Sequence, residues 1–448
     1  MRKLNSAESQ ENQVLEFLLE CSTDEKIPNG KINEAAAKFQ VCRKSISQVW
    51  AAAKKQAENN QQMHIEEKTK FTRTKRVAID LEKISKLPLK KRSIIRTLAH
   101  GINYKKSTVG RWIRQGLIKA HTSAIMPDLR ASNKLLRLRF SLETLELDRI
   151  LNILKFRSMH KMVHIDEKWF YMKKETHRFY MTPEEAEPHR SCKSNKFIAK
   201  IMFMCAVCRP LFATDGTVLF DGKIGVFPFT HKVPAQRSSK NRSRGILETK
   251  AIESVTKEVI KNCLINQILP AIKEKWPPFA SKVIYIQQDN AKPHIKDSDL
   301  IFREASNTDG FEFTLVQQPP NSPNLNVNDL GWFRSIQSLQ TEIETHTVDE
   351  LVNAVITSFE NLYPTKLNKV FLTLQCCLVE IMKVKGHNCY KIPHMGKDAL
   401  IRVDSLPLNL EVPVELVRQC LSHLMEAGSV HGIQELMNTL GVKRLEGN

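Results

Sequence analysis

The chain has 448 residues, with 68 Lys and Arg against 48 Asp and Glu and a formal net charge of +20, a length that allows two or three domains, each large enough to bury its own core. So basic a balance points to a polyanionic partner. The longest apolar run, Ile201–Val207, is too short to span a bilayer, the N-terminal MRKLNSAESQENQ lacks a signal peptide's apolar stretch, and the ten cysteines form no disulfide framework, so a soluble intracellular protein is expected by default.

The first segment, 1–60, reads as three helices. Val14, Leu15, Leu18 and Leu19 recur at helical spacing. Asn33 is placed to cap a second helix carrying Ala35, Ala36, Ala37 and Phe39, and a third runs from Arg43 through Ile46, Val49 and Trp50. The stretch FQVCRKSIS between them has helix–turn–helix character. Its last helix presents Arg43, Lys44, Ser45, Ser47 and Gln48, which suit phosphate and base-edge contacts in a major groove. A basic linker, 61–85, leads to a second helix–turn–helix unit, 86–130. There Ile94, Ile95, Leu98 and Ala99 mark one helix, Val109, Trp112 and Ile113 pack the next, and Lys105, Lys106, Ser107, Arg111 and Arg114 face outward. Positions 51–130 hold 19 Lys and Arg against six Asp and Glu, the electrostatic footprint of nucleic acid. The bland alternatives are a solvated surface and a protein-contact bundle. The runs Lys68–Arg76 and Leu89–Arg92 also suit nuclear import.

Residues 131–160 read as a helical connector. From 161 to 345, strand-like pieces (MVHID, RFYMT, FIAKIMFMCAV, TVLFDG, VIYIQQ, FEFTLVQ) alternate with helical ones, including a long helix over 250–273 and another through LGWFRSIQSLQTEI. This predicts an α/β fold, a mixed sheet flanked by helices. Between them, residues 231–247 carry Lys232, Arg237, Lys240, Arg242 and Arg244 with few apolar anchors, and read as a mobile arm that contacts DNA or a second subunit. The region 346–448 is largely helical and opens with Thr347 and Glu350, a capping-box pair.

Three aspartates carry the chemistry. Asp166 in VHIDEKWF and Asp289 in VIYIQQDNAKPH each end a strand-like run, and Asp329 in QPPNSPNLNVNDLGWF follows a Pro-rich turn where a helix begins. A carboxylate at the end of a buried strand is costly unless a cation or partner compensates it. Three such groups from separate elements suit two Mg2+ ions, with Mn2+ as substitute, for in-line phosphoryl displacement. Asp166 would bridge both ions, with Asp289 and Asp329 each completing one. That is the chemistry of a polynucleotidyl transferase. Taken singly, Asp166 could pair with Lys168, Asp289 could be a turn residue, and Asp329 could simply favour a helix N-terminus. Glu167 points to the opposite face of its strand and is not assigned to metal. Asn290 and His294 are candidates to orient water or phosphate, His294 equally as a structural hydrogen-bonder. Asp221 and Glu248 read as turn and surface acids, and Cys205–Cys208, a lone CxxC in an apolar run, has no second ligand pair for zinc.

HIDEKWFYM, EEAEPHRSCKSNKFI, FDGKIGVFPF, PAQRSSKNRSRGILETK, YIQQDNAKPHI, QPPNSPNLNVNDLGWFRSIQSLQ and NCYKIPHMGK resemble segments of the mariner superfamily of DNA transposases, most closely its plant-type branch, from about residue 160 to 400. The 39 residues between Asp289 and Asp329 are the interval of that branch. The resemblance implies a ribonuclease-H-like core behind two helix–turn–helix units and cut-and-paste transposition by a dimer in the nucleus. It also implies binding of double-stranded terminal inverted repeats and insertion at TA. SPNLN stands where SPDLN is common, so Asn324 departs from the pattern while Asp329 keeps the aligned acid. Two rivals remain: a catalytically inactive, transposase-derived DNA-binding regulator, and a nuclease acting on RNA–DNA hybrids. Paired helix–turn–helix units speak against the second, because hybrid recognition relies on backbone shape.

Overall fold

The structure is a computed structural model that describes residues 8–23, 26–58, 78–122, 125–173, 182, 184, 185, 189, 198–238, 243–429 and 431–442. It divides into two compact units, Met1–Ser123 and Ala124–Asn448. Among the described residues no helix is long and apolar enough to cross a membrane.

In the first unit, α1 (Glu8–Glu20), α2 (Lys31–Lys38) and α3 (Arg43–Glu58) close over Val14, Leu15, Leu18, Ala35, Val41, Ile46, Val49 and Ala53. Ala35, fully buried, lets α2 approach its neighbours. Asn33 does not cap α2: the helix starts after Gly30, three residues earlier than a cap at Asn33 requires, and Asn33 is an exposed helical residue. A second cluster follows in α4 (Leu81–Lys86), α5 (Ile95–Ile102) and α6 (Lys106–Arg114), around Leu98, Ala99, Ile102, Val109 and Trp112. Asn103, at φ 62°, ends α5 in the left-handed conformation that asparagine tolerates and turns the chain into α6. Ile94 and Ile95 stand at the exposed start of α5, outside this core.

The second unit opens with α7 (Ala131–Glu143), but the predicted connector helix stops there. Residues 145–156 form a hairpin, β1 (Leu145–Asp148) with β2 (Ile153–Phe156), joined to the short β12 (Glu411–Val412). The composition of 145–156 favours helix. Alternating burial of Leu154 and Phe156, and a turn in which Asp148 Oδ1 accepts the N–H groups of Ile150 and Leu151, override that preference.

The main sheet contains β3 (Met162–Tyr171), β4 (Lys200–Val207), β7 (Lys223–Pro228), β10 (Val283–Gln288) and β11 (Glu312–Gln317), in the order β11-β10-β3-β4-β7. The first three in sequence run antiparallel to one another, while β10 and β11 add parallel to β3. This mixed order is that of a ribonuclease-H-like core. Between β4 and β7 lies a small ribbon, β5 (Leu211–Phe212) with β6 (Val218–Phe220). The central strands read as nearly unbroken apolar runs because both faces of the sheet are covered. Val163, Ile165, Met204, Ile284 and Ile286 pack one face, under α8 (Lys257–Cys263), α9 (Leu269–Lys275) and α10 (Leu300–Ser306).

Phe170, Ile201, Phe203 and Cys205 pack the other face, with Leu138 of α7, Phe333 of α11 (Phe333–Gln340), Phe359 of α12 (Val348–Glu360) and Phe371 of α13 (Pro364–Lys383). After α14 (Lys397–Arg402) come α15 (Val414–Glu426) and α16 (Ile433–Leu440), which add Leu421 and Met437 to that same cluster. The C-terminal helices therefore share one core with the sheet. The expected pair at the start of α12 is present: Thr347 Oγ1 accepts from the N–H of Glu350, whose carboxylate accepts from the N–H of His346.

Two further expectations are corrected. The helix foreseen from residue 250 begins at Lys257, because 247–251 is strand β9 (Leu247–Ala251), paired with β8 (Thr230–Pro234). The basic arm is consequently a two-stranded hairpin at its base rather than a loop from 231. Its Lys240 and Arg242 lie outside the described residues, as do most of the RFYMT and EEAEPHRSCKSNKFI segments and the basic run 68–76.

Candidate active site

The parallel pairing of β3 with β10 runs from Met162 opposite Tyr285 to His164 opposite Gln287. Asp166 and Asp289 each stand two residues beyond the last pair, so an equal offset carries both acids to the same end of the sheet. Asp289 lies just past the end of β10. Asp329 comes from a wide turn, Asn328–Trp332, that enters α11 and packs against β3.

Asp166 and Asp329 are within hydrogen-bonding reach of each other. Burial first, then the charges of Asp329, Glu167 and Asp289, push the Asp166 carboxyl well above the usual range, against the N–H of Glu167, which donates to Asp166 Oδ1 at 2.8 Å. Burial also raises Asp329, opposed by its hydrogen bond with Asp166 and by the charge of Lys168. Two carboxyl groups so placed cannot both ionise cheaply.

Asp289 has a different neighbourhood. Burial would raise it, but His294 Nδ1, 2.8 Å from Oδ1, and the N–H of Ala291, 2.9 Å away, outweigh burial and leave it lowered. His294 Nε2 lies 2.8 Å from Glu167 Oε1. Burial works against the charge of His294, yet Asp289 and Glu167 overcome it and push the imidazole up to about 11. A buried imidazolium thus ties Asp289 to Glu167. Glu167 leaves β3 on the face opposite Asp166, as alternation requires, and reaches the site through His294. His294 is buried and acts on Asp289 itself, whereas Asn290 is exposed.

The acid-bearing turn is fastened to β3 by groups that the motifs alone do not single out. Asn326 Nδ2 donates to Ile165 O at 2.9 Å, Asn328 Nδ2 donates to His164 O at 3.1 Å, and Gln287 Nε2 donates to Leu325 O at 2.8 Å. Asn326 and Asn328 are fully buried. Their signal in the sequence is an alternation of asparagine with Leu325 and Val327 immediately before Asp329.

Among the described residues no group of three or more His, Cys, Asp or Glu side chains is arranged to hold a metal ion. The structure brings Asp166 and Asp329 together as a pair and sets Asp289 beside them, with one oxygen engaged by His294. The pair fits a hard divalent cation by its chemistry, since such an ion would cancel the repulsion between the two carboxylates.

The remaining candidates are placed as follows. On α3, Arg43, Lys44, Ser47 and Gln48 are exposed and Ser45 is half-buried against Cys42. On and before α6, Lys105, Lys106, Ser107, Arg111 and Arg114 are exposed, opposite the buried Val109 and Trp112. Lys232 lies on β8, within 3.5 Å of Asp349 and in contact with Thr249. Arg237 and Arg244 flank the undescribed tip of the hairpin, where the N–H of Arg244 donates to Ser238. Asp221 accepts from the N–H of Lys223 and is a turn residue, Glu248 lies on β9, and Cys205 and Cys208 are buried free thiols.

Fold and site together define a ribonuclease-H-like core with acidic residues at one end of its sheet, in a chain that also carries helical basic units. Residues 7–60 match a family described as a domain of unknown function (DUF7769). Among solved structures, the chain is similar to the Mos1 mariner paired end complex with Mn at 16% identity and a TM-score of 0.48, covering 86% of this chain and 100% of that one. Its similarity to a pre-cleavage Mos1 transpososome is 15% identity and a TM-score of 0.46, covering 86% and 100% of the two chains. For the catalytic domain of Mos1 mariner transposase the values are 16% identity and 0.36, over 60% of this chain and 100% of that one. No curated protein matches the chain.

Proposed function

We propose that the chain is a mariner-like DNA transposase of the plant-type branch, a metal-dependent polynucleotidyl transferase acting on double-stranded DNA. The observation that carries the reading is the pairing of half-buried Asp166 with the more exposed Asp329, with Asp289 beside them, at the end of the sheet. A stability-driven core has no use for two carboxyl groups that repel each other. Phosphodiester chemistry does, because a bound divalent cation supplies an activated oxygen nucleophile and stabilises the departing oxygen. Asp166, Asp289 and Asp329 are the residues that would hold the Mg2+ or Mn2+ ions.

The chain's own groups prepare that site. Asp166 and Asp329, both held above the usual carboxylate range by burial and by neighbouring acids, would present their oxygens to a cation. His294 keeps one oxygen of Asp289 occupied and so fixes the direction of the other. Lys168 places a positive charge near Asp329. Cleavage and strand transfer then differ only in the attacking oxygen, from water or from a DNA 3′-hydroxyl. The exposed basic faces of α3 and α6 would read the terminal inverted repeats in the nucleus, with a homodimer holding two ends for insertion at TA. The retained acids favour this reading over an inactive regulator. The test is magnesium-dependent cutting of DNA that carries the inverted repeats flanking this reading frame, by the wild type and by Asp289→Ala. Loss of cutting in the variant is expected, and equal cutting by both would exclude the assignment.

A further inference from the structure

We infer that Asn326 and Asn328 are positioning residues that hold Asp329 in register with Asp166, an inference that rests on reading those two acids as one metal site. Asp329 needs such help because its turn belongs to no regular element. The segment enters through the single 3-10 turn Pro323–Leu325 and leaves through a wide turn broken at Gly331. By contrast, Asp166 is fixed by β-pairing, opposite Cys205 of β4.

The two asparagines bridge these different environments. Asn326 uses both ends of its carboxamide. Nδ2 donates to Ile165 O, and Oδ1 accepts from the N–H of Asn328 at 3.0 Å. Asn328 Nδ2 then donates to His164 O. The two accepting carbonyls belong to the residues immediately before Asp166, so whatever grips them sets one acid relative to the other.

Stability does not explain the arrangement. Among the described residues Asn328 Oδ1 is buried without a hydrogen-bond partner, a cost that an apolar side chain of similar size would not incur. A carboxamide kept there at such a cost is one whose donor has a geometric task. Outer-shell groups of this kind change metal affinity or activity by roughly 10- to 100-fold when they are removed.

The test uses the full-length chain with Asn326→Leu and Asn328→Leu, near-isosteric changes that delete the donors, beside Asp166→Ala and Asp329→Ala. Mn2+ affinity is read by electron paramagnetic resonance, and hydrogen exchange of 322–332 is read without metal. Cutting at saturating DNA is followed as Mn2+ is raised. We expect each Leu variant to melt cooperatively, bind Mn2+ about tenfold more weakly, exchange faster within 322–332, and recover its cutting rate at high Mn2+ with unchanged affinity for end DNA. Each Ala variant should not recover. Should Asn326→Leu fail to fold, Asn328→Leu alone decides, since it also removes the unpartnered oxygen. Wild-type Mn2+ affinity and exchange in Asn328→Leu, with both lost in the Ala variants, overturns the inference alone. Wild-type Mn2+ binding and cutting in the Ala variants overturns the underlying reading instead.

Discussion

Replacing Asn324 by Asp should stabilise this protein. Arg137 of α7 is fully buried. Its Nε donates to Gly386 O at 2.9 Å, and its Nη1 donates to Ser322 Oγ at 2.8 Å and Asn324 Oδ1 at 3.0 Å, while among the described residues Nη2 has no partner. Every acceptor is neutral, and burial lowers the guanidinium's pKa against a smaller opposing effect from Tyr390. The present bond to Asn324 already involves the guanidinium charge and contributes about 1.5–3 kcal/mol net; a carboxylate would add the attraction of a second charge, about 4 kcal/mol at 4 Å in an effective dielectric of 20.

A carboxylate at 324 faces the guanidinium at the distance of the present amide oxygen, and Tyr390, now in contact with the Asn324 amide, would donate its hydroxyl to the second oxygen. Desolvating the new charge takes back part of the gain, leaving about 1 kcal/mol, or a rise of about 2–4 °C in melting temperature. The sign with pH follows from linkage. Arg137 would depress the pKa of the introduced carboxyl group in the folded state, so the gain is present above the unfolded aspartate value of about 3.9 and is lost as pH falls through the folded one. Calorimetry of N324D and wild type, metal-free, from pH 7 down to 4 reads both effects. A variant that melts below wild type at pH 7, or whose advantage grows on acidification, refutes the reasoning.

Other perturbations have equally definite signs. Asp166→Asn removes like-charge repulsion and should raise the metal-free melting temperature at pH 7 by a few degrees while abolishing cutting. In the wild type, the raised pKa of Asp166 makes the folded state bind protons the unfolded state has released. Metal-free stability should therefore fall as pH rises from the unfolded carboxylate value through the folded one, and Mg2+ should restore it at neutral pH but not in acid. Gly386→Ala should cost several kcal/mol in urea unfolding, because φ is +87° and the new Cβ would collide with the Lys134 backbone of α7. Replacing Arg111 and Arg114 of α6 by Ala should reduce the slope of log affinity against log salt by about 0.9 for each phosphate left without its cation, and an unchanged slope removes α6 from the interface.

Much of this architecture is legible in the sequence for identifiable reasons. β4 is buried on two sides and spells itself as a continuous apolar run, while β10 and β11 bury Ile284, Ile286, Phe313 and Leu315 on one face. The helices of the first unit keep their 3.6-residue period because one face alone is buried. The hairpins β1–β2 and β8–β9 are hidden for the opposite reason. The residues of β1 and β2 are good helix formers whose conformation β12, far along the chain, helps decide, and β8 and β9 are too polar to stand out and pair only with each other. The position of Asp166 and Asp289 at one end of adjacent strands follows from strand register. The holding of Asp329 does not, since Asn326 and Asn328 act on carbonyls more than 150 residues earlier. Likewise, the link of Glu167 to Asp289 exists only through His294, 127 residues away.

The central claim is that Asp166 and Asp329 jointly hold a divalent cation beside Asp289. Anomalous scattering from crystals grown with Mn2+ locates such an ion directly. The account predicts a peak bonded to oxygens of both Asp166 and Asp329, at roughly the 2.0–2.2 Å typical of carboxylate–metal bonds. Density confined to other sites, with those two carboxyl groups still bonded to each other at saturating Mn2+, would contradict it.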